Sequence, residues 1–315
     1  MIAIGIDLGG TNIKAALVDK KTGIQKEISI PTEADQGKDH VFDRIKIAVD
    51  KLMESNDAKP IGIGMGTPGM VSLDRTSVKN PPNLPGWHVV NVSEEVKKRT
   101  GYNCIIDNDA NLAALGCSRF GVGKNFESLI MLTLGTGVGG GIIYKRHLFR
   151  GSTGSAAELG HIIINYHGPL SNSNTRGGIE AYLGQRFLSR YASDVIRQHP
   201  SNPLYIKFHQ NFDELEPVDL YRAAEDGNDL AAQILKKTGE KLGYAIVNYI
   251  HMMDIRKIVV SGGVAKAGRW LLEPARKTAL DYLMPPFHDD FEIIYEPLGN
   301  TAALYGASSL ALEHL

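Results

Sequence analysis

Two short glycine-rich segments do most to limit the folds open to this 315-residue chain. They are Leu8-Gly9-Gly10-Thr11 and Leu134-Gly135-Thr136-Gly137, whose first residues are 134 − 8 = 126 positions apart. Each lies between two apolar stretches of strand length, so each is predicted to be the turn of a hairpin. A glycine turn exposes backbone N–H groups and has no Cβ atoms to keep a phosphate away. The pair therefore indicates two phosphate-binding hairpins, although either one alone could be an ordinary tight turn.

The second segment also matches the dinucleotide-binding pattern G-x-G-x-x-G, from Gly135 to Gly140. That pattern binds a dinucleotide when it opens a helix, because the helix N-terminus then faces the pyrophosphate. Here the apolar run Gly141-Ile142-Ile143-Tyr144 follows, and it favours a strand. The chain contains no Walker A, H-E-x-x-H or G-x-S-x-G motif, so P-loop transfer, zincin hydrolysis and serine-elbow chemistry have no support in the sequence.

Composition and charge favour a cytoplasmic protein that binds neither nucleic acid nor membranes. The 34 basic and 35 acidic residues give a formal net charge of −1, which provides no electrostatic footprint for nucleic acid or anionic lipid. Cys104 and Cys117 are too few for a disulfide framework, as is usual in a reducing compartment. Asp7 interrupts the apolar N-terminus, so no signal peptide is expected. The longest uncharged run, Ser128 to Tyr144, has 17 residues including five glycines and does not suit a membrane span.

Apolar stretches with strand and helix periods alternate along the chain, which is typical of the α/β class. The first three strands, at 2–6, 13–18 and 24–30, follow one another through short turns and predict an antiparallel meander. The other predicted elements are strands at 61–65, 104–106, 129–134, 141–144, 257–260 and 291–295, and helices at 40–53, 92–99, 110–120, 181–196, 218–224, 229–252 and 301–312. The length fits two domains of about 150 residues each.

A third glycine cluster, Ser261-Gly262-Gly263-Val264, follows a predicted strand and precedes helical residues. A glycine pair at such a junction lets a flat base or a ribose lie against the backbone. Turns of this kind are common in α/β proteins, so this cluster indicates a nucleotide site only together with the two hairpins.

Taken together, the motifs resemble the ROK family of bacterial sugar kinases and repressors, within the superfamily of sugar kinases, actin and heat-shock chaperone ATPases. The resemblance covers nearly the whole chain and keeps the family's order of motifs. The matching segments are Asp7 to Lys14, Gly66-Thr67-Pro68-Gly69, Asn108-Asp109-Ala110-Asn111, Leu134 to Gly141, Glu158-Leu159-Gly160-His161, Glu180 and Val260-Ser261-Gly262-Gly263. The implied fold is α/β, with two actin-like (ribonuclease H-like) domains and an interdomain cleft. We expect a smaller N-terminal domain of residues 1–118 and 300–315, to which the final helix returns, and a larger C-terminal domain of residues 119–299.

The resemblance implies that the three glycine clusters bind ATP together with Mg²⁺. The implied nucleotide-binding residues are Asp7, Gly9, Gly10, Thr11, Asn12, Lys14, Gly135, Thr136, Gly137, Gly262 and Gly263. Asp7 would hold Mg²⁺ through water, since hard cations prefer oxygen ligands. The alternative for Asp7 is an aspartate that only stabilises the turn.

Asp109 is implied to be the catalytic base. Phosphoryl transfer to an alcohol is mostly positioning and electrostatics, with one carboxylate accepting the hydroxyl proton. The plain alternative is that Asp109 caps the helix predicted at 110–120, a common use of aspartate.

The resemblance also implies a set of sugar-binding residues, which are Gly69, Asn83, Asn108, Glu158, His161 and Glu180. Amide, carboxylate and imidazole groups suit neighbouring sugar hydroxyls, because each hydroxyl offers both a donor and an acceptor. Taken individually, the two glutamates could be solvated surface charges, His161 a structural histidine and Asn83 a turn residue.

One departure from the family concerns a structural zinc. Many members bind zinc through this histidine and three cysteines that follow 10, 12 and 17 residues later. In this chain the count from His161 reaches Ser171, Ser173 and Gly178. Serine hydroxyls do not replace thiolates on Zn²⁺, so no zinc site is expected. One ring nitrogen of His161 then needs another partner to fix its tautomer.

The implied function is transfer of phosphate from ATP to the 6-hydroxyl of a hexose. The loop Asn83-Leu84-Pro85-Gly86-Trp87 is similar to that of glucokinase-type members and favours glucose, with N-acetylmannosamine or fructose as alternative sugars. Polyphosphate is an alternative to ATP as the phosphate donor. A sugar-sensing repressor is a second reading, but only Met1 precedes the first strand, which leaves no room for a DNA-binding helix-turn-helix. A chaperone-like ATPase is a third, and it has no use for Glu158-Leu159-Gly160-His161. A homodimer is expected from the resemblance alone.

Overall fold

The computed structural model describes residues 1–54 and 58–315 of the chain. These residues form two compact units. The first unit comprises Met1–Ser128, Gly141–Ala157 and Pro297–Leu315, and the second comprises Leu129–Gly140 and Glu158–Glu296.

Strands and helices alternate as the sequence predicts for an α/β chain. The strands are β1 (Ile2–Leu8), β2 (Asn12–Asp19), β3 (Gly23–Pro31), β4 (Ile63–Thr67), β5 (Met70–Val71), β6 (Ser77–Lys79), β7 (Val89–Asn91), β8 (Cys104–Asn108), β9 (Leu129–Leu134), β10 (Val138–Tyr144), β11 (His147–Leu148), β12 (Lys257–Ser261) and β13 (Glu292–Tyr295). The helices are α1 (Lys38–Met53), α2 (Val92–Thr100), α3 (Asp109–Phe120), α4 (Glu180–Leu183), α5 (Gln185–Ile196), α6 (Pro203–Phe208), α7 (Pro217–Glu225), α8 (Asp229–Met253), α9 (Arg269–Tyr282) and α10 (Thr301–His314).

The first sheet has the strand order β3-β2-β1-β4-β8. Strands β1, β2 and β3 pair antiparallel, which confirms the predicted meander. Strands β4 and β8 then continue the sheet parallel to β1. The carboxyl ends of β1, β4 and β8 therefore lie at one edge of this sheet.

The second sheet has the order β11-β10-β9-β12-β13, in which β12 runs parallel to both β9 and β13. The strand β10 follows directly on the glycine segment Gly135–Gly137. The literal dinucleotide pattern in this region thus opens a strand rather than a helix, as its apolar continuation predicts.

A third sheet, with the order β5-β6-β7, was not expected from the sequence. Its strands have two or three residues each, too short for a two-residue alternation to stand out. We call this three-stranded sheet and its loops, residues 70–91, the small sheet.

The predicted helix at 181–196 is two helices, α4 and α5, separated by Gly184. This glycine has an extended backbone (φ −61°, ψ 139°), and an added Cβ would lie 3.0 Å from the carbonyl oxygen of Glu180. The sequence also did not reveal α6, which Asn202 caps and Pro203 begins. Among the helices of residues 1–54 and 58–315, none combines the length and the apolar content needed to cross a bilayer.

The C-terminal helix α10 belongs to the first unit, where glycines let it approach other backbone segments closely. An added Cβ at Gly64 of β4 would overlap the carbonyl oxygen of Ala307. One at Gly306 of α10 would overlap the carbonyl oxygen of Leu112 in α3. Because side chains cannot fit at these points, α10 holds the parallel strands and α3 by direct backbone contact.

We expect Gly306→Ala to lower the free energy of unfolding by about 2–3 kcal/mol, because α3 and α10 must separate to admit the methyl group. Alanine would otherwise favour a helix by up to about 1 kcal/mol over glycine. Gly263→Ala is the matched control, since its Cβ meets nothing within 4 Å and its φ is −62°. Urea unfolding followed by circular dichroism measures both variants. Equal stability of the two would contradict the close-packing account.

Candidate active site

The first unit collects several of the predicted site residues at the edge of its sheet. Asp7 of β1 lies opposite Gly66 of β4, and Gly66 lies opposite Asp107 of β8. Neighbouring strands are about 4.8 Å apart, so the ends of all three strands fall within about 10 Å. The next step along β8 brings Asn108 opposite Thr67, just before Asp109 begins α3.

The first glycine turn is held in shape from its own unit. The amide of Gly9 donates to the carbonyl oxygen of Asn12 at 3.0 Å, closing the turn. The fully buried Thr32 donates its hydroxyl to the Gly9 carbonyl oxygen at 2.6 Å and its amide to the carbonyl oxygen of Thr11 at 2.8 Å. Thr11 and Asn12 themselves remain exposed. The turn is therefore rigid and accessible, as a phosphate-binding turn must be.

Asp7 and Lys14 face each other across the β1–β2 pair. Burial raises the pKa of the Asp7 carboxyl, and the Lys14 ammonium works in the opposite direction. A carboxylate that has lost its hydration is stabilised by a nearby cation. Carboxylate oxygens are ligands that Mg²⁺ prefers, so Asp7 fits the expected role of holding this ion.

Asn108, and not Asp109, is the cap of α3. Its side-chain oxygen accepts from the amides of Ala110 at 2.9 Å and Asn111 at 3.3 Å, and its amide group donates to the carbonyl oxygen of Gly69 at 3.3 Å. Asp109 is the first helical residue and is exposed. Its Oδ1 accepts from the amide of Ala110 at 2.8 Å. The helix-capping role that was the alternative for Asp109 thus belongs to Asn108.

Asn83 lies beside the first glycine turn. Leu84 and Trp87 are buried, and Trp87 stacks on Phe42 with 5.1 Å between ring centroids, so the loop is anchored while Asn83 stays exposed. An added Cβ at Gly10 would lie 2.6 Å from the Cβ of Asn83. Asn83 is a turn residue, with φ at 64°, and it also lies next to the proposed nucleotide turn.

In the second unit, Glu180 is joined to the second glycine turn. The amide of Val138 donates to its Oε2 at 3.2 Å, and an added Cβ at Gly137 would overlap the same oxygen. The amide of Gln185 donates to the carbonyl oxygen of Gly135 at 2.9 Å. Glu180 is thus tied to the hairpin and is not a solvated surface charge.

The third glycine cluster contacts the same hairpin. Gly262 has φ at +98°, and an added Cβ would overlap the backbone of Leu134. Gly263 precedes the short 3-10 helix Val264–Ala267 and has open space around its Cα. The two clusters of the second unit therefore lie in contact, with Thr136 and Gly263 exposed, which suits a nucleotide.

Glu158 precedes, and His161 ends, a short 3-10 helix, Leu159–His161, that packs on the same hairpin. An added Cβ at Gly160 would overlap the carbonyl oxygen of Val138. The buried Tyr249 donates its hydroxyl to the Leu159 carbonyl oxygen at 2.7 Å, and burial raises the pKa of that hydroxyl, so it remains a donor. The Nε2 of His161 lies 3.7 Å from Oε2 of Glu158.

The other ring nitrogen of His161 has a partner that the sequence did not reveal. Its Nδ1 lies 3.1 Å from the hydroxyl oxygen of Ser173, which lies 2.8 Å from that of Ser171 and 3.3 Å from that of Thr175. In residues 1–54 and 58–315 no group of three or more His, Cys, Asp or Glu side chains could hold a metal ion. The signal in the sequence was the presence of serines at two of the family's cysteine positions.

Comparisons with known proteins identify relatives of this chain. A protein-family model described as "ROK family" matches residues 3–314. The glucokinase of Thermotoga maritima is 33% identical over 312 residues, covering 99% of this chain and 98% of that protein. The glucokinase of Halalkalibacterium halodurans is 32% identical over 314 residues, covering 98% and 94%. The crystal structure of a ROK family glucokinase from Streptomyces griseus, in complex with glucose and AMPPNP, is 32% identical with a TM-score of 0.85 and covers 99% of this chain and 100% of that chain.

These matches confirm the fold class and the resemblance drawn from the motifs. The matched region begins before the first glycine turn and continues to the end of α10, so no large part of the chain lies outside it. The glycine turns, the Asn108–Asp109 segment and the Glu158–His161 segment all fall within that region. The chain belongs to the ROK family.

Proposed function

We propose that the chain is an ATP-dependent hexose kinase that transfers phosphate to the 6-hydroxyl of glucose. The observation that carries the proposal is the shared edge of β1, β4 and β8, where Asp7, the Gly69 carbonyl and the Asn108–Asp109 segment meet beside the first glycine turn. Proteins named glucokinase align with the chain over its whole length, which supports the choice of substrate.

Asp109 is the base in this proposal. It accepts the proton of the 6-hydroxyl as that oxygen bonds to the γ-phosphorus and the bond from phosphorus to the leaving oxygen of ADP breaks. The products are the hexose 6-phosphate and ADP.

The glycine turns bind the nucleotide. In the first unit, Thr11 and Asn12 are exposed and Gly9 and Gly10 are partly exposed, so these four residues offer polar groups to the phosphates. Gly135, Thr136, Gly137, Gly262 and Gly263 offer the corresponding surface in the second unit. Asp7, with Lys14 opposite, holds Mg²⁺, which when bound neutralises charge on the phosphate oxygens.

Each unit carries polar side chains that we propose to bind sugar hydroxyls. Asn83 and Asn108 supply amide groups in the first unit, and Glu158, His161 and Glu180 supply carboxylates and an imidazole in the second. Such a mixture of donors and acceptors can read the pattern of hydroxyls around a hexose ring. We also propose a cytoplasmic location, in keeping with two free cysteines, and a homodimer by analogy with the family.

A coupled assay for ADP release across a panel of hexoses tests the proposal. We expect glucose to give the highest kcat/KM, ahead of mannose, fructose and N-acetylmannosamine. Preference for another hexose would change the assigned substrate from glucose to that sugar and leave the proposed reaction unchanged. No ADP release with any sugar would refute the proposal.

Asp109→Asn should lower kcat by about 10³-fold or more, because the amide cannot accept the hydroxyl proton. Glucose affinity, measured by titration calorimetry, should change little, since the amide keeps its shape. Asp229→Asn is the matched control. Asp229 is likewise the first residue of a helix behind an asparagine cap, Asn228, and its variant should keep wild-type turnover. Near-wild-type turnover of the Asp109 variant would remove it from the base role.

Ser173→Ala should raise KM for glucose about fivefold with a smaller change in kcat, because loss of one hydrogen bond of about 1 kcal/mol loosens His161. Ser171→Ala should have a weaker effect, since its hydroxyl contacts Ser173 and not the imidazole. Metal analysis of the purified wild-type protein should find zinc well below one ion per chain. One tightly bound zinc per chain, or an unchanged KM in Ser173→Ala, would contradict this role of the hydroxyl groups.

A further inference from the structure

The carboxylate of Asp107 is fully buried directly before Asn108 and Asp109. One of its oxygens, Oδ1, accepts from the amide of Asn108 at 2.8 Å and from the side-chain amide of Asn111 at 3.0 Å. Both donors belong to the turn from β8 into α3. This oxygen therefore fixes the turn on which the proposed base lies.

The other oxygen, Oδ2, faces two arginines from distant parts of the sequence. The Nε of Arg75 lies 3.1 Å away and the Nε of Arg150 lies 2.9 Å away. Both guanidinium groups are largely buried, with 14% and 7% of their side chains exposed. A buried ion group of this kind depends on all its members, because a remaining charge without a partner is costly.

Arg150 uses its other nitrogens to hold the small sheet. Its Nη1 donates to the carbonyl oxygen of Leu73 at 2.8 Å, and its Nη2 donates to those of Ser72 at 2.9 Å and Val71 at 3.4 Å. An added Cβ at Gly154, where φ is +94°, would lie 2.7 Å from the Val71 carbonyl oxygen. The segment that carries Arg150 thus packs closely on the small sheet.

Arg75 makes a second connection, through its backbone. Its carbonyl oxygen accepts from the amide of Ile106 at 3.0 Å, and its φ of 60° is in the left-handed region. A non-glycine residue in that region is uncommon and is kept there by its surroundings. The small sheet is therefore attached to β8 by backbone and side chains together.

The small sheet carries Asn83 in the loop between β6 and β7. We infer that Asp107 and Arg150 are positioning residues that lock this sheet to the turn from β8 into α3, so that Asn83 and Asp109 keep a fixed distance. Neither group touches the proposed substrates. The roles of Asn83 and Asp109 in this inference rest on the proposed function. The physical link between the small sheet and the turn from β8 into α3 does not.

Arg150→Met and Arg150→Lys test the inference, since both leave Asp107 paired with Arg75. Arg119→Met is the matched control. Arg119 also joins distant segments of the first unit, through Glu313 and the Arg146 carbonyl oxygen, but it lies at the far end of α3. The measurements are kcat, KM for glucose and KM for ATP at a temperature where each variant is folded, and hydrogen exchange of residues 70–91 and 104–111.

We expect Arg150→Met to lower kcat at least tenfold and to raise KM for glucose, with KM for ATP within twofold of the wild type. Exchange should increase in both segments. Arg150→Lys keeps the positive charge but lacks the several N–H donors of the guanidinium group, so its kcat should lie between those of Arg150→Met and the wild type. Arg119→Met should match the wild type in every measurement.

A lower melting temperature for Arg150→Met with unchanged kcat and KM would overturn the inference and leave Arg150 a structural residue only. Unchanged exchange in residues 70–91 and 104–111 would overturn the link itself. Absence of hexose kinase activity in the wild type would refute the proposed function instead, and the exchange measurement would still decide whether Arg150 joins the two segments.

Discussion

The parallel alignment of β1, β4 and β8 is the constraint on which the rest of the first unit depends. It places Asp7, Gly66 and Asp107 in register, so that the three strands, two of which carry an aspartate near the end, finish at one edge. Helix α10 maintains this alignment by backbone contact at glycines, where no side chain could be accommodated. A strand slipped by one residue would turn Asp7 and Asp107 to the other face, so the packing and the chemistry have the same requirement.

Much of the fold follows from local patterns in the sequence. The meander, the glycine turns and α8 could be predicted because a run of residues in one segment determines them. The small sheet could not, because its strands have only two or three residues each, too few for an alternation of apolar and polar residues to stand out. The break at Gly184 is visible only once Glu180 is known to begin a helix that ends there.

The same division holds for the site. The residue types and their order indicated which side chains to examine, such as Asp109 and His161. The residues that hold the site in place are distant in sequence: Arg150 is 43 residues from Asp107 (150 − 107), and Ser173 is 12 residues from His161. Such pairs leave no periodic trace in a single sequence. The Ser173 hydroxyl also supplies only about 1 kcal/mol, whereas a structural zinc contributes about 10 kcal/mol or more. The loop after His161 also has backbone bonds of its own, among them the bridge between Ile163 and Gly178.

A crystal structure of the complex with glucose and a non-hydrolysable ATP analogue tests the central claim most directly. The account predicts that the 6-hydroxyl oxygen lies within hydrogen-bond reach of the Asp109 carboxylate, about 2.6–3.2 Å, and that the analogue's phosphates lie on the glycine turns. Glucose bound with its 6-hydroxyl directed away from Asp109, or phosphates bound elsewhere, would contradict it.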